Sequence, residues 1–227
     1  MNKKRTPCAV SVFGMEVQGM RILSTKRIRG QQYMVTLQGD EQLDVMIDAS
    51  TFDHAGYHVD GEISAEQLQM LLETSKYNRV RSRALYYLSG RDYAAGELSR
   101  KLTRMTEKET ADAVVARLEE VGLINDEAYA IRLAQSLSEY RQYPRRRILQ
   151  ELRARGIDRE TAEVAVQEAD IDDDKQALAL LTKKYYNKLS DDAARQKTLA
   201  ALVRHGFTYD TARRAMDAVS AQKEGLD

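Results

Sequence analysis

The chain is predicted to be mostly α-helical: a tandem array of three three-helix repeats, preceded by a small β-rich N-terminal unit. Three observations predict this. Residues 141–169 reappear, shifted by 50, at 191–219, so that Leu149, Leu152, Gly156, Thr161, Ala162 and Ala165 fall on Leu199, Leu202, Gly206, Thr211, Ala212 and Ala215. A fainter copy lies upstream, where Arg91, Tyr93, Leu98 and Leu102 stand 50 before Arg141, Tyr143, Ile148 and Leu152, and a one-residue slip aligns Thr110 and Ala111 with Thr161 and Ala162. The apolar period is two in the N-terminal part and 3.6 from Lys76 onward. Helical units repeating near 50 residues stack on their neighbours and present one long surface.

Residues 1–75 form the β-rich unit. Tyr33, Val35 and Leu37, then Leu43, Val45 and Ile47, alternate with polar residues, and Gly39-Asp40 between them supplies turn chemistry, which predicts a hairpin. Ala9–Met15 and Met20–Ile28 supply further strands, since a stable sheet needs three or more and cover over one face. Ser64-Ala65-Glu66-Gln67 is a capping box opening a helix that carries Leu68, Leu71 and Leu72 and joins the sheet to the array.

The first repeat, residues 76–123, places helices near 76–88, 92–104 and 107–120; Gly90 breaks the first, Thr106 with Glu109 caps the third, and Gly122 ends it. The second, 124–170, has Asn125 as an N-cap, helices at 126–140, 144–154 and 159–168, and Pro144 in a first turn, where its missing donor does no harm. Gly156-Ile157-Asp158 reads as stop, apolar contact and new N-cap. The third, 171–227, repeats the scheme at 174–187, 192–204 and 209–219. Ile148, Leu149 and Leu152 make one buried stripe, and Ala162, Ala165 and Val166 allow close approach of the facing helix. The acidic run Asp172-Asp173-Asp174 sits where a helix N-terminus favours negative charge.

Composition narrows the function classes. With 43% hydrophobic and 31% charged residues in 227, the chain is a globular protein. No apolar run reaches the roughly 20 residues of a membrane span, and the basic N-terminus lacks an apolar core after it, so a cytoplasmic location is expected. The single Cys8 cannot form an internal disulfide. Net charge is zero, from 35 basic and 35 acidic residues, so the molecule as a whole is no magnet for nucleic acid. Locally it differs: residues 76–104 carry 8 basic and 2 acidic side chains, and 141–155 carry 6 and 1.

No catalytic constellation emerges, and no metal or cofactor is expected. His54 and His58 flank a segment that reads as loop or strand end, with no third His or Cys nearby for zinc. His205 reads as a cation at a helix C-terminus. Neither a phosphate-binding glycine loop nor a nucleophile elbow occurs, and carboxylates find caps or i,i+4 partners, such as Glu151 with Arg147 and Arg155. What remains is surface. Arg145, Arg146 and Arg147 open a helix that adds Arg153 and Arg155, with Tyr140 and Tyr143 just before; Arg146, Gln150 and Arg153 share a stripe. Guanidinium forks suit phosphates and carboxylates, and cations at a helix N-terminus oppose the dipole, which points to a partner. Arg79, Arg81, Arg83, Arg100, Lys101 and Arg104 form a second basic surface, and Lys183, Lys184 and Lys188 beside Tyr185 and Tyr186 a third. The candidate contact residues are Arg91, Arg100, Lys101, Arg104, Arg141, Tyr143, Arg145, Arg146, Arg147, Arg153 and Arg155.

Four segments in order resemble the RecX family of bacterial recombination regulators: Ala84-Leu85-Tyr86-Tyr87-Leu88-Ser89-Gly90-Arg91 with Glu97-Leu98-Ser99-Arg100-Lys101-Leu102, Gly122 to Ala130, Arg145 to Leu152, and Gly156-Ile157. The resemblance covers roughly residues 76–220. It departs at Ala94, where the family commonly has serine, so the local cap must come from Asp92 or be absent, and the β-rich unit occurs in only part of the family. The resemblance implies a non-enzymatic modulator of RecA, the ATP-dependent recombinase that coats single-stranded DNA, acting in recombination, repair and the SOS response. It implies binding in the filament groove, with ATP hydrolysis and strand exchange mainly inhibited. Three modules of about 20 Å would give a body of about 60 Å, long enough to touch several RecA subunits and gain from multivalency. A monomer is expected, touching single-stranded DNA, if at all, through phosphates. The alternative is a RecA-independent, sequence-nonspecific single-stranded DNA-binding protein.

Overall fold

The computed structural model describes residues 19–28, 31–186, 189 and 191–224; Cys8, the expected strand at Ala9–Met15, and Lys188 lie outside them. The chain divides into two units, residues 1–90 with 102–114 and residues 91–101 with 115–227.

In the first unit, β1 (Met20–Ile28), β2 (Gln32–Gln38), β3 (Gln42–Asp48) and the two-residue β4 (Glu62–Ile63) form an antiparallel sheet of order β3-β2-β1-β4. The hairpin has the expected register, with Tyr33 opposite Ile47, Val35 opposite Val45 and Leu37 opposite Leu43. A bulge between Ile22 and Ser24 shifts the β1–β2 ladder, leaving Ile22 buried beside Val35, Leu37 and Ile47. Phe52, Leu68 and Leu71, from helices α1 (Ala49–Ala55) and α2 (Ala65–Leu88), cover that face.

The segment Asp53-His54-Ala55, expected as loop or strand end, is instead the end of α1. Asp48 caps that helix, accepting from Thr51 N at 3.1 Å, and the His54 ring Nδ1 lies 2.6 Å from the Ser50 carbonyl. No cluster of three or more His, Cys, Asp or Glu suited to a metal occurs among the described residues. The Ser64 capping box forms as expected, yet α2 runs unbroken for 24 residues through position 76, where a separate helix was expected. Nothing between Glu73 and Asn78 ends a helix, and Ser75 and Asn78 bind it to the sheet side: Asp48 N donates to Ser75 Oγ at 2.7 Å, and Asn78 to Thr51 at 2.9 Å.

The array continues with α3 (Ala95–Leu102), α4 (Lys108–Glu120), α5 (Asp126–Arg141), α6 (Arg145–Ala154), α7 (Arg159–Glu168), α8 (Asp173–Lys184), α9 (Asp192–His205) and α10 (Tyr209–Glu224). Helix α4 starts one residue late, and the Thr106 hydroxyl donates to the Glu107 carboxylate at 3.2 Å. Asn125, Asp158, Asp172 and Asp191 each cap the helix that follows by accepting from its backbone. The repeated apolar positions are core: Leu152 with Leu202 and Ala162 with Ala212 are fully buried, in two separate clusters, one per repeat. Leu149 is only half-buried.

Two helices open on residues that cannot cap, Ala94 before α3 and Pro144 before α6, and both are capped from the next repeat. Ala95 N donates to Asp126 Oδ1 at 2.8 Å, and Arg145 N donates to Asp173 Oδ1 at 2.8 Å. Asp126 and Asp173 are each the first helical residue of a repeat, after N-caps Asn125 and Asp172. The cap missing at Ala94 is therefore Asp126, not Asp92, whose carboxylate pairs with Arg132. The acidic run is divided in the same way: Asp172 caps its own helix, Asp173 caps α6, and Asp174 pairs with Arg214 at 2.7 Å.

Replacing Asp173 by alanine is expected to cost about 1 kcal/mol, the usual worth of a side-chain cap, and to lower the melting temperature by about 2–4 °C. Asp174→Ala removes an exposed pair worth less than about 1 kcal/mol. Thermal melts of both variants decide the matter; an Asp174 effect as large as that of Asp173 would contradict the capping role.

The repeats also meet through backbone. A Cβ on Gly96 would lie 2.9 Å from the Gly156 carbonyl, and one on Gly156 2.9 Å from Gly96 Cα, while one on Gly206 would meet side chains instead, 3.0 Å from Arg147 Cβ and 3.2 Å from Pro144 Cγ. Gly156 and Gly206 have φ of +91° and +114°, positions that end α6 and α9 and that glycine adopts without strain.

Candidate functional site

The α6 arginines separate into two groups by what they touch. Arg145, Arg146 and Arg153 are exposed, and their side chains make no hydrogen bond, ion pair or ring contact among the described residues. Arg146, Gln150 and Arg153, at i, i+4 and i+7, lie along one outward stripe. Arg147 and Arg155 turn inward. The Arg147 guanidinium stacks 4.3 Å over the Tyr143 ring and donates to the His205 carbonyl at 3.3 Å. Arg155 donates to the Tyr129 hydroxyl at 2.9 Å. The expected i,i+4 pairs of both with Glu151 do not form, because these tertiary partners hold the guanidinium groups in more buried places.

The N-terminus of α6 is not left with cations alone. Asp173 supplies the negative charge and the acceptor that the start of α6 lacks, so the fold itself answers the placement of Arg145–Arg147. The exposed stripe stands as surplus cation, held on a rigid helix and unused by the fold.

His205 is the last residue of α9, as expected, and its ring is packed against Tyr143. Burial pushes its pKa below the usual histidine value, the Arg147 and Lys184 charges act the same way, and a backbone hydrogen bond to Arg141 opposes them. Its ring meets Tyr143 edge-on at 5.1 Å, with Nε2 buried and unpartnered. Tyr143, Arg147 and His205 thus form part of the joint between the second and third repeats. Arg141, in the last turn of α5, is exposed.

In α3 the candidate cations serve structure as well. Arg100 donates to the Ala154 carbonyl at 2.8 Å, satisfying the end of α6, as Arg147 does for α9. Lys101 donates to the Tyr93 hydroxyl at 2.9 Å; that bond, with the Arg91 and Lys101 charges, holds the Tyr93 pKa below the usual tyrosine value. Arg91 pairs with Glu97 and lies 3.6 Å over the Tyr93 ring. Arg104 is exposed and belongs to the first unit, where Arg83 packs over Tyr86 and Tyr87 and Lys76 pairs with Glu107. Lys183 and Lys184 are exposed at the end of α8.

Sequence reasoning missed Asp126 and Asp173 as the residues that lock each repeat to the one before. Their signal was present: α3 and α6 stand 50 residues apart and both start after a residue with no capping side chain.

Comparison with known proteins agrees with this architecture. Family models described as the first, second and third three-helix domains of RecX match residues 81–118, 125–166 and 172–216. A Clostridioides difficile protein named regulatory protein RecX is 28% identical over 159 residues, covering 69% of this chain and 75% of its own. A Streptococcus pneumoniae protein of the same name is 30% identical over 168 residues, 72% of this chain and 64% of its own length. A crystal structure of a regulatory protein RecX shares the fold with a TM-score of 0.61 at 21% identity, over 87% of this chain and 99% of that one. RecX from Lactobacillus salivarius aligns with a TM-score of 0.53 at 22% identity, over 64% and 97%. No helix among the described residues is long and apolar enough to cross a membrane. With all three family domains matched in order over the helical repeats, the chain belongs to the RecX family of regulatory proteins.

Proposed function

We propose that this chain binds RecA nucleoprotein filaments and restrains their ATP hydrolysis and strand exchange, as a cytoplasmic monomer without catalytic activity of its own. The observation that carries the reading is the set of Arg145, Arg146 and Arg153: exposed guanidinium groups on a helix capped by Asp173. Planar donors of this kind recognise carboxylates of a protein partner or phosphates of a bound strand. A second-repeat helix anchored to its neighbours through Arg147 and Arg100 presents them with little loss of entropy on binding. Contact with single-stranded DNA would be through phosphates and would weaken with salt.

Purified protein added below stoichiometry to RecA on single-stranded DNA is expected to depress ATP hydrolysis. Unchanged hydrolysis across a wide titration would overturn the proposal, and tight salt-sensitive binding to DNA alone would favour a RecA-independent role.

A further inference from the structure

We propose that the groove between α5 and α7 of the second repeat is a separate docking site, which takes an arginine side chain from a basic segment of a partner protein. The third repeat contains the occupied version of this site. There the Arg214 guanidinium lies 2.7 and 3.0 Å from the two carboxylate oxygens of Asp174, and 3.3 Å from the Thr211 hydroxyl. Asp174 is the second residue of α8, as Glu127 is of α5, and Thr211 and Arg214 correspond by the 50-residue shift to Thr161 and Val164.

The second repeat therefore keeps both acceptors, Glu127 and Thr161, and has valine where the third repeat has its guanidinium. The result is an open groove of about 510 Å³, lined by the apolar Ile131, Val164 and Ala165 and by the carboxylates of Glu127, Asp158, Glu160 and Glu168. Among the described residues no cation lines it; neighbouring Arg159 is paired with Glu163 at 2.7 Å. Val164 is 48% exposed, whereas Ala165 and Val166, which follow it in α7, are buried.

Carboxylate acceptors beside an apolar lining suit arginine in particular, whose methylene stem packs on apolar surface while its fork meets a carboxylate. The same carboxylates repel a nucleic-acid strand. This site shares no residue with the α6 stripe and does not rest on the RecA proposal.

The test uses the full chain and a 12-residue helical peptide of leucine and alanine with two arginines one turn apart, beside an identical peptide with citrulline in their place. Titration followed by NMR should move the Ile131, Thr161 and Val164 resonances with the arginine peptide, and the neutral peptide should bind about tenfold more weakly, as loss of a charge-assisted pair requires. Val164→Arg should fill the groove from within, as Arg214 does, and abolish peptide binding. Glu127→Gln should weaken binding about tenfold, while the melting temperature falls by no more than the few degrees that loss of one first-turn carboxylate brings. Equal binding of the two peptides, undiminished binding by Val164→Arg or Glu127→Gln, or movement of the same resonances by a single-stranded oligonucleotide would overturn the proposal.

Discussion

Gly156→Ala is expected to lower the melting temperature by about 5–15 °C. Two costs combine. At φ +91° an L-side chain is strained, by about 1–2 kcal/mol. The new methyl would also stand 2.9 Å from Gly96 Cα and 3.0 Å from its carbonyl carbon, and backbone atoms there cannot swing aside as a side chain does. Forcing such atoms apart adds about 1–3 kcal/mol. Gly122→Ala is the control, because Gly122 has φ +74° but open space around its Cβ. It should lose only the conformational part, about 1–2 kcal/mol. Equal melting temperatures for the two variants would show that the second repeat does not close on α3 as described.

That joint marks the limit of what the sequence made legible. The threefold helical pattern, the hairpin at Tyr33–Ile47, and the caps Asn125 and Asp158 could be read directly, because each depends on neighbours in the chain and on local backbone chemistry. The continuous α2 was split at Lys76 because a change of period was taken for a boundary, although no residue there interrupts a helix. Arg147 and Arg155 were counted among the candidate contact residues, because helical spacing offered them no partner but Glu151. Folding offered Tyr143 and the His205 carbonyl to one and Tyr129 to the other, across 58 and 26 residues of chain. Asp173 was read only as a first-turn acid, and Asp126 drew no reading of its own, for the same reason: the amide groups they cap belong to helices of the preceding repeat. Contacts between repeats are carried by single residues, so a self-comparison that finds the repeats does not reveal how they join.

The division of the α6 arginines decides which substitutions report on function. Arg147→Ala would disturb the joint through Tyr143 and the His205 carbonyl, and would confuse stability with binding. Arg145, Arg146 and Arg153 can be removed together without touching any hydrogen bond made by a side chain among the described residues. Exposed charges of this kind contribute less than about 0.5 kcal/mol to stability, so the triple variant should melt as the parent does. Its affinity for RecA filaments should fall by about tenfold to a hundredfold, since three charge-assisted contacts are lost where each factor of ten needs only about 1.4 kcal/mol. Where the contacts are phosphates of the bound strand, the salt dependence should also flatten, by about 0.7 in logarithmic slope for each contact.

The most direct measurement is co-sedimentation of the wild-type chain and of the Arg145→Ala/Arg146→Ala/Arg153→Ala variant with RecA filaments on single-stranded DNA, with helicity and melting recorded for both. A variant that is fully folded and largely left in the supernatant is the predicted result. A folded variant that pellets with the filaments as the wild-type chain does would contradict the assignment of this face.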